Sequence, residues 1–398
     1  MTPSPVARAP HVFLSCGEAS GDRYGAALAA ALRRRRPGLQ LSAVGGPALA
    51  AAGARIIQPS GPLAVMGFGE VLGALPRLLA ARRRVWRHLA RERIDLCVPI
   101  DFPGFNLRVA AAARSRGIPV FYLVAPQLWA WGAWRLPGVR RAVDRLGVIL
   151  PFEPDWFGAR GFAVTALGHP LVEDYPAVAA AADGARREAR LAAPGGPLTL
   201  GLLPGSRRQE VTRLLPELLG AAALLRARIA PRPLACVVSA APGLDRRLLA
   251  VAAERHGATL CADPLPELLP RLDLAVVCSG TASLEVALAG VPHEVVYGTS
   301  PFSYAVARRL VKVPHIGLAN LVLAEDFVRE HIQAGVTATA LAAALGDWLA
   351  DEPRRRRFGA GVERLRERLG PPGAWDRAAE AALALLDARA AAAGPAGR

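Results

Sequence analysis

Four short turns in this chain of 398 residues place chemistry-bearing side chains directly after apolar runs. The first, Gly17-Glu18-Ala19-Ser20-Gly21-Asp22, follows HVFLSC. Its glycines let a ligand approach the backbone, and the helix start behind it suits an anion; a tight turn capped by Ser20 or Asp22 is the plainer alternative. The second, Asp101-Phe102-Pro103-Gly104-Phe105-Asn106, follows IDLCVPI. A carboxylate at the end of a buried strand is partly desolvated, which raises its pKa and suits Asp101 to general-base work, although a helix cap uses the same residue type. The third, Leu203-Pro204-Gly205-Ser206-Arg207-Arg208-Gln209-Glu210, sets a glycine turn, a capping Ser206 and Arg207 at a helix mouth, where backbone N–H groups, helix dipole and guanidinium converge on a phosphate. The fourth, Cys278-Ser279-Gly280-Thr281-Ala282-Ser283-Leu284-Glu285, repeats that scheme. Glu285, one turn in, either accepts from ribose hydroxyls or caps the backbone around Thr281. Two phosphate-suited turns favour a nucleotide-diphosphate site over two coincidental caps. Neither the G-x-G-x-x-G fingerprint nor a Walker A sequence occurs at these turns.

Elements must hold these turns in place. Apolar runs at 11–17, LQLSAVGG, 94–101, GIPVFYLVAP and DRLGVILPF read as buried strands separated by Ala/Leu/Arg helices, the first from about Asp22 to Arg36. After Gly168-His169-Pro170 a polar, Ala-rich stretch running to Gly195-Gly196-Pro197 contains the best linker candidate. The alternation then restarts with PLTLGLLPG, a helix from Ser206 to Arg228, PLACVVSAAP, LDLAVVCSG, a helix from Thr281 to Ala289, and VPHEVVYG. Strands alternating with helices predict an α/β fold with doubly wound parallel sheets, in which ligands bind at the carboxyl ends of strands. The domains expected are 1–170, 171–365 and a helical tail, 366–398, that is a candidate to pack back on the first domain.

Composition sets the bounds. Lys+Arg 49 against Asp+Glu 33 gives a formal charge of +16, yet Lys312 is the single lysine and the arginines are dispersed. Such a bias supports an anionic partner of some kind, whether phosphate, nucleic acid or acidic membrane, without choosing among them. Cys16, Cys97, Cys236, Cys261 and Cys278 show no CxxC spacing, so a reducing, cytoplasmic location is expected, with no metal site, and the histidines form no metal triad. No apolar run reaches the length of a membrane span. The segment Leu63–Pro76, with Val65, Met66, Phe68 and Leu72 before an Arg-rich helix, is either a membrane-docking surface or an ordinary amphipathic helix. The aromatic cluster Gln127-Leu128-Trp129-Ala130-Trp131-Gly132-Ala133-Trp134 packs a sugar or an acyl chain or, equally, the core or an interdomain contact.

Taken in order, GEASGD, AVMGFGEVL, IDFPGFN, APQLWAW, LPFEPDWF with GHPL, LLPGSRRQEV, SGTASLE and RRLVKVPHIGLANLVL resemble the lipid-A-disaccharide synthases over about residues 11–335. The resemblance implies a GT-B glycosyltransferase: two Rossmann-like domains facing a cleft, the first on the acceptor and membrane side and the second binding UDP. It implies inverting transfer of 2,3-diacylglucosamine from UDP-2,3-diacylglucosamine to 2,3-diacylglucosamine 1-phosphate (lipid X). The products are a β-1',6-linked disaccharide phosphate, on the route to lipid A, and UDP. On this reading Asp101 is the general base. Gly205, Ser206, Arg207, Ser279, Gly280 and Thr281 hold the leaving UDP, Glu285 binds the ribose, and Asn320 lies near the nucleotide. Gly17, Glu18, Ser20, Gly21, Asp22, Asn106 and Gln127 line the acceptor side. No cofactor and no metal is expected. The enzyme would work peripherally on the anionic cytoplasmic face of a Gram-negative inner membrane, docking through Val65, Met66, Phe68 and Leu72. The oligomeric state stays open, with a homodimer among the candidates.

The chain departs from the family pattern at Gly104, at Pro292-His293-Glu294, at Gly298 and at Ala319, which puts the nucleotide contacts at the end of the second domain in question. Two rivals stand beside this reading. One is another UDP-sugar GT-B enzyme, an N-acetylglucosaminyltransferase or a UDP-sugar 2-epimerase. The other is a basic nucleic-acid-binding protein, for which the interleaved aromatics and clustered cations are missing.

Overall fold

The computed structural model describes residues 8–61, 68–311 and 313–392. The chain divides into two compact units, Met1–Pro170 together with Pro372–Arg398, and Leu171–Pro371.

The first unit is built on seven parallel strands: β1 His11–Cys16, β2 Gln40–Gly45, β3 Arg55–Pro59, β4 Leu96–Ile100, β5 Phe121–Leu123, β6 Arg145–Val148 and β7 Val164–Ala166. Their order is β3-β2-β1-β4-β5-β6-β7. The second unit has six: β8 Leu198–Leu203, β9 Leu234–Ser239, β10 Thr259–Cys261, β11 Leu274–Cys278, β12 His293–Tyr297 and β13 Glu330–Ile332, ordered β10-β9-β8-β11-β12-β13. Both sheets are thus wound outward in two directions from a central pair, as in a Rossmann fold, and the winding reverses between β1 and β4 and again between β8 and β11. Central strands of a parallel sheet are covered on both faces, so they are continuous apolar runs; β1, β4 and β11 are buried along their whole length.

Register decides what sits beside what. Cys16 pairs with Ile100, so Gly17 and Asp101 leave the sheet side by side. Leu203 pairs with Val277, so the turns beginning at Pro204 and Cys278 also leave together. The four turns picked out by their residue types are therefore the four turns at the two winding reversals, where open α/β sheets bind ligands.

Two expectations change. The stretch after Pro170 containing the linker candidate is largely ordered: Ala177–Ala192 is helical, as alanine favours. Its Arg187 is buried in the second unit and donates to the carbonyls of Leu272 (2.7 Å) and Gly290 (2.8 Å). The C-terminal region is two helices. Glu352–Leu369 lies in the second unit, and Ala374–Ala392 lies in the first. Between them Gly370-Pro371-Pro372-Gly373, with Gly370 at φ 88° and Gly373 at φ 95°, forces the break. The last helix packs Ala378, Ala379 and Ala382 into the core of the first sheet. It is fixed by Tyr24 against Trp375 (5.0 Å) and by the Arg36–Asp387 pair (2.8 Å).

Candidate active site

In the first unit, the turns after β1 and β4 are locked together. A Cβ placed on Gly17 would lie 2.0 Å from Phe102 Cδ1, so glycine is required for the Phe102 ring to lie across the turn. Asp101 and Phe102 both take left-handed backbone conformations, at φ 45° and 50°. Such strain persists only where the surroundings fix it, and here they do. The Asp101 N–H donates to Leu123 O (2.9 Å), and its carbonyl accepts from Asn106 Nδ2 (2.8 Å) and from the Tyr122 hydroxyl (2.7 Å). Asn106 also donates to the carbonyls of Ser15 (2.9 Å) and Ile100 (3.0 Å) and accepts from Ser15 Oγ (2.7 Å), tying the ends of β1 and β4 into one knot.

The knot presents the Asp101 carboxylate at the carboxyl edge of the sheet. Part of the residue is open to solvent and the rest is packed in protein. That partial burial, with the like charge of Glu18 nearby, pushes its carboxyl up to about 6 against the backbone N–H bond that opposes the shift. A carboxylate so placed is poised to take a proton near neutral pH.

The other expected acceptor-side residues divide in two. Gly17 is the packing contact just described; Glu18 is half-buried, and Ser20 and Gln127 are exposed at the same edge. Asp22 and Asn106 are not displayed to a ligand. Asp22 neither caps its own helix nor faces solvent: its buried carboxylate accepts from the N–H groups of Gly46 (2.6 Å), Ala48 (3.0 Å) and Leu49, capping the next helix, Pro47–Ala51. Gly21 is buried beneath, with Cys16 closest to where its Cβ would be. Two residues escape reasoning from sequence alone. Tyr122 braces Asp101 from within β5. Glu153, buried after β6, accepts from Trp129 Nε1 (3.0 Å) and from the N–H groups of Ile149 (3.2 Å) and Leu150 (3.0 Å). Burial pushes its carboxyl up to about 7 despite these donors. The signal for Glu153 was its position, an acid just past a strand in the same sheet.

In the second unit, Gly205 stands at φ 105°, and a Cβ there would meet Glu210 Oε2 at 2.5 Å. The helix begins at Arg208, so Arg207, not Ser206, holds the cap position. Glu210 reaches back to accept from the Arg207 N–H (3.2 Å) and guanidinium (2.9 Å). Ser206 and Arg207 are exposed, as are Gly280, at φ 147° with open space where a Cβ would be, and Thr281, the first residue of the helix Thr281–Leu288. These groups form an exposed rim where the two turns leave the sheet together.

Three other expected nucleotide-site residues also make internal hydrogen bonds. Ser279 donates its N–H to Val296 O (2.8 Å) and its hydroxyl to Ile316 O (2.7 Å). Glu285 is 7% exposed and accepts from the Tyr175 hydroxyl (2.7 Å). Asn320 is fully buried; its amide donates to Val328 O (2.8 Å) and Glu330 (2.9 Å) and accepts from Val328 N–H (3.0 Å). Glu330 in turn accepts from the N–H groups of Ile316 and Gly317, so this loop is clamped from below. The departures around 292–298 are explained by packing. Glu294, fully buried, is met by Trp348 Nε1 (2.7 Å), Arg354 (2.8 Å) and His331 (3.0 Å), and a Cβ on Gly298 would touch Leu214 at 3.0 Å.

Of the expected docking residues, Val65 and Met66 lie outside the described residues. Phe68 and Leu72 fall in the helix Phe68–Arg91, which is seated in the core through Ala81, Val85 and Leu89 in its second half. No described helix is long and apolar enough to cross a membrane, and no cluster of three or more metal-ligating side chains occurs among the described residues.

Residues 12–381 match the model of the lipid-A-disaccharide synthetase family. A lipid-A-disaccharide synthase of Syntrophus aciditrophicus is 38% identical over 383 residues, covering 94% of this chain and 97% of that one. The lipid-A-disaccharide synthase of Myxococcus xanthus is 40% identical over 381 residues, with 95% and 98% covered. Among solved structures, the glycotransferase of kitacinnamycin superposes with a TM-score of 0.58 at 18% identity, over 95% of this chain and all of the other. The last likeness speaks to fold, which is GT-B.

Proposed function

The chain belongs to the lipid-A-disaccharide synthetase family, glycosyltransferases of lipid A biosynthesis, and from that premise we propose how its residues carry the transfer. The donor is UDP-2,3-diacylglucosamine and the acceptor is 2,3-diacylglucosamine 1-phosphate. Asp101 removes the proton from the acceptor 6-hydroxyl as that oxygen attacks the anomeric carbon of the donor. The bond from that carbon to the UDP oxygen breaks, and the electron pair leaves with UDP. One displacement inverts the centre, turning an α-linked donor into a β-linked product. The departing diphosphate is stabilised by Arg207 and by the turns at Gly205-Ser206 and Gly280-Thr281, in the manner of an oxyanion site. Glu285, steadied by Tyr175, orients the ribose edge, and Asn320 acts through the loop it clamps.

The observation that carries this reading is Asp101, a carboxylate held in strained backbone by three hydrogen-bonding groups and poised near neutrality. Docking at the cytoplasmic face of the membrane follows from the lipid nature of both substrates, with the first half of the helix Phe68–Arg91, ahead of its seated part, as the docking element. The family match does not favour an unrelated UDP-sugar enzyme or a nucleic-acid-binding protein. The test is incubation with both lipid substrates in detergent micelles, following disaccharide and UDP. No product from the wild type overturns the reaction, and full activity in Asp101→Ala overturns the base.

A further inference from the structure

We propose that Trp131, Trp134 and the arginines that follow them form a second anchor of the first unit, one that seats on an anionic lipid bilayer. The proposal rests on the reading that both substrates are membrane lipids. Among the described residues, the large apolar side chains exposed on this unit are two, Trp131 at 44% and Trp134 at 66%. They stand together, ring centroids 6.5 Å apart. A pair of indoles in water forfeits apolar contact that an interface would supply, and the amphipathic indole favours the headgroup level of a bilayer.

Within the segment itself the charge is of one sign. Arg135 lies with its guanidinium 6.0 Å from the Trp131 ring, and the helix Leu136–Ala142 that follows exposes Arg141, while its Arg140 turns to the Phe162 ring (5.6 Å) and the Arg160 carbonyl. From Pro126 to Val143 the sequence contains no acidic residue. Basic residues beside an apolar tip are complementary to anionic headgroups.

The segment is also firm and well placed. Leu128, Val139 and Ala142 are buried in the core of the unit, and Trp129 is pinned by Glu153. It follows β5, so it emerges at the same carboxyl edge as Asp101, and Arg135 donates to Pro103 O (3.4 Å) within the Asp101 turn. An anchor here would bring the bilayer to the edge where the acceptor hydroxyl must arrive.

The experiment compares the full chain with the Trp131→Ala/Trp134→Ala variant on vesicles of phosphatidylglycerol mixed with phosphatidylcholine. The wild type is expected to partition onto them, with a blue shift of tryptophan emission, and the variant to partition about tenfold or more weakly with the shift largely gone. Trp131→Phe/Trp134→Phe should recover part of the partition. Unchanged partition and unchanged shift in the alanine variant overturn the anchor. So does a variant whose only change is loss of self-association in sedimentation, which would assign the patch to a second copy. Disaccharide formation in detergent micelles, where no bilayer need be found, is expected to persist in the variant. Failure of the wild type there would strike the functional reading and leave the vesicle result to stand on its own.

Discussion

Gly17→Ala is the most revealing single change. The new methyl would lie 2.0 Å from Phe102 Cδ1 and 2.2 Å from Cγ, whereas ordinary contact begins at 3.4 Å. Spinning the ring about its own axis gives no relief, because Cγ lies on that axis. Phe102 must therefore retreat by roughly 1.4 Å or more, either by leaving its rotamer or by dragging its backbone. That backbone is one of two consecutive left-handed residues, and the other is Asp101. Misplacing a reacting group by about 1 Å lowers the rate on the order of a hundredfold, equivalent to about 2.7 kcal/mol. Steady-state kinetics of disaccharide formation should then show kcat down by about that factor, with the thermal midpoint little moved. Phe102→Ala removes the obstacle, so the double variant should be hardly slower than Phe102→Ala alone, a coupling of about 2–3 kcal/mol. Multiplicative losses in the double variant, or a Gly17→Ala enzyme at full kcat, would refute the claim that the two turns act as one knot.

Other outcomes follow from single groups. Asp101→Asn should lower kcat by about 10²–10⁴-fold while UDP binding by calorimetry is unchanged. The wild-type kcat/KM should fall as pH drops through the Asp101 carboxyl, between its ordinary 3.8 and about 6 because solvent reaches the group, and a limb outside that window would count against it. Arg207→Ala should weaken UDP binding about tenfold, as loss of one charge-assisted contact implies; an unchanged titration would remove Arg207 from the site. Asn320→Ala orphans both polar groups of Val328 and should lower unfolding stability by about 2–4 kcal/mol in denaturant titration; a variant as stable as the wild type would show that the clamp is dispensable. Glu153, pushed up to about 7, is harder to ionise folded than unfolded, so its stability contribution is greatest below pH 4.5 and declines as pH rises to 7. The gap in stability between wild type and Glu153→Gln should therefore narrow across that range, by at most ~3 kcal/mol, and a constant gap would contradict it.

What the sequence disclosed follows from burial. The central strands are covered on both faces, so their apolar runs are continuous and legible, and the turns that follow them could be found by position. The strands that escaped notice, β3, β7, β10 and β13, are the four sheet edges, and three of them have only three residues. RIIQP, VTA, TLC and EHI carry too little apolar periodicity to stand out. Polar residues at the turns were harder to sort. Asp22, Asn106 and Asn320 have the composition of ligands, but each is buried and satisfied by groups outside its own helix, a fact that only the folded partners reveal. The positive charge was ambiguous for a related reason. Arg187, Arg355 and Arg366 are buried and donate to backbone carbonyls, so part of the +16 is structural rather than a surface for partners.

The path of the chain at residues 370–373 has a consequence for synthesis. The helix Ala374–Ala392, which completes the core of the first unit, is the last described segment to leave the ribosome, after the whole of the second unit. Until then, the faces of Leu28, Leu32 and their neighbours that meet Ala378, Ala379 and Ala382 stay uncovered. The second unit, contiguous in sequence, can close while the first still waits for its final helix. A nascent chain therefore carries an open apolar surface through most of its translation, and removing a few dozen C-terminal residues harms the half of the protein translated first.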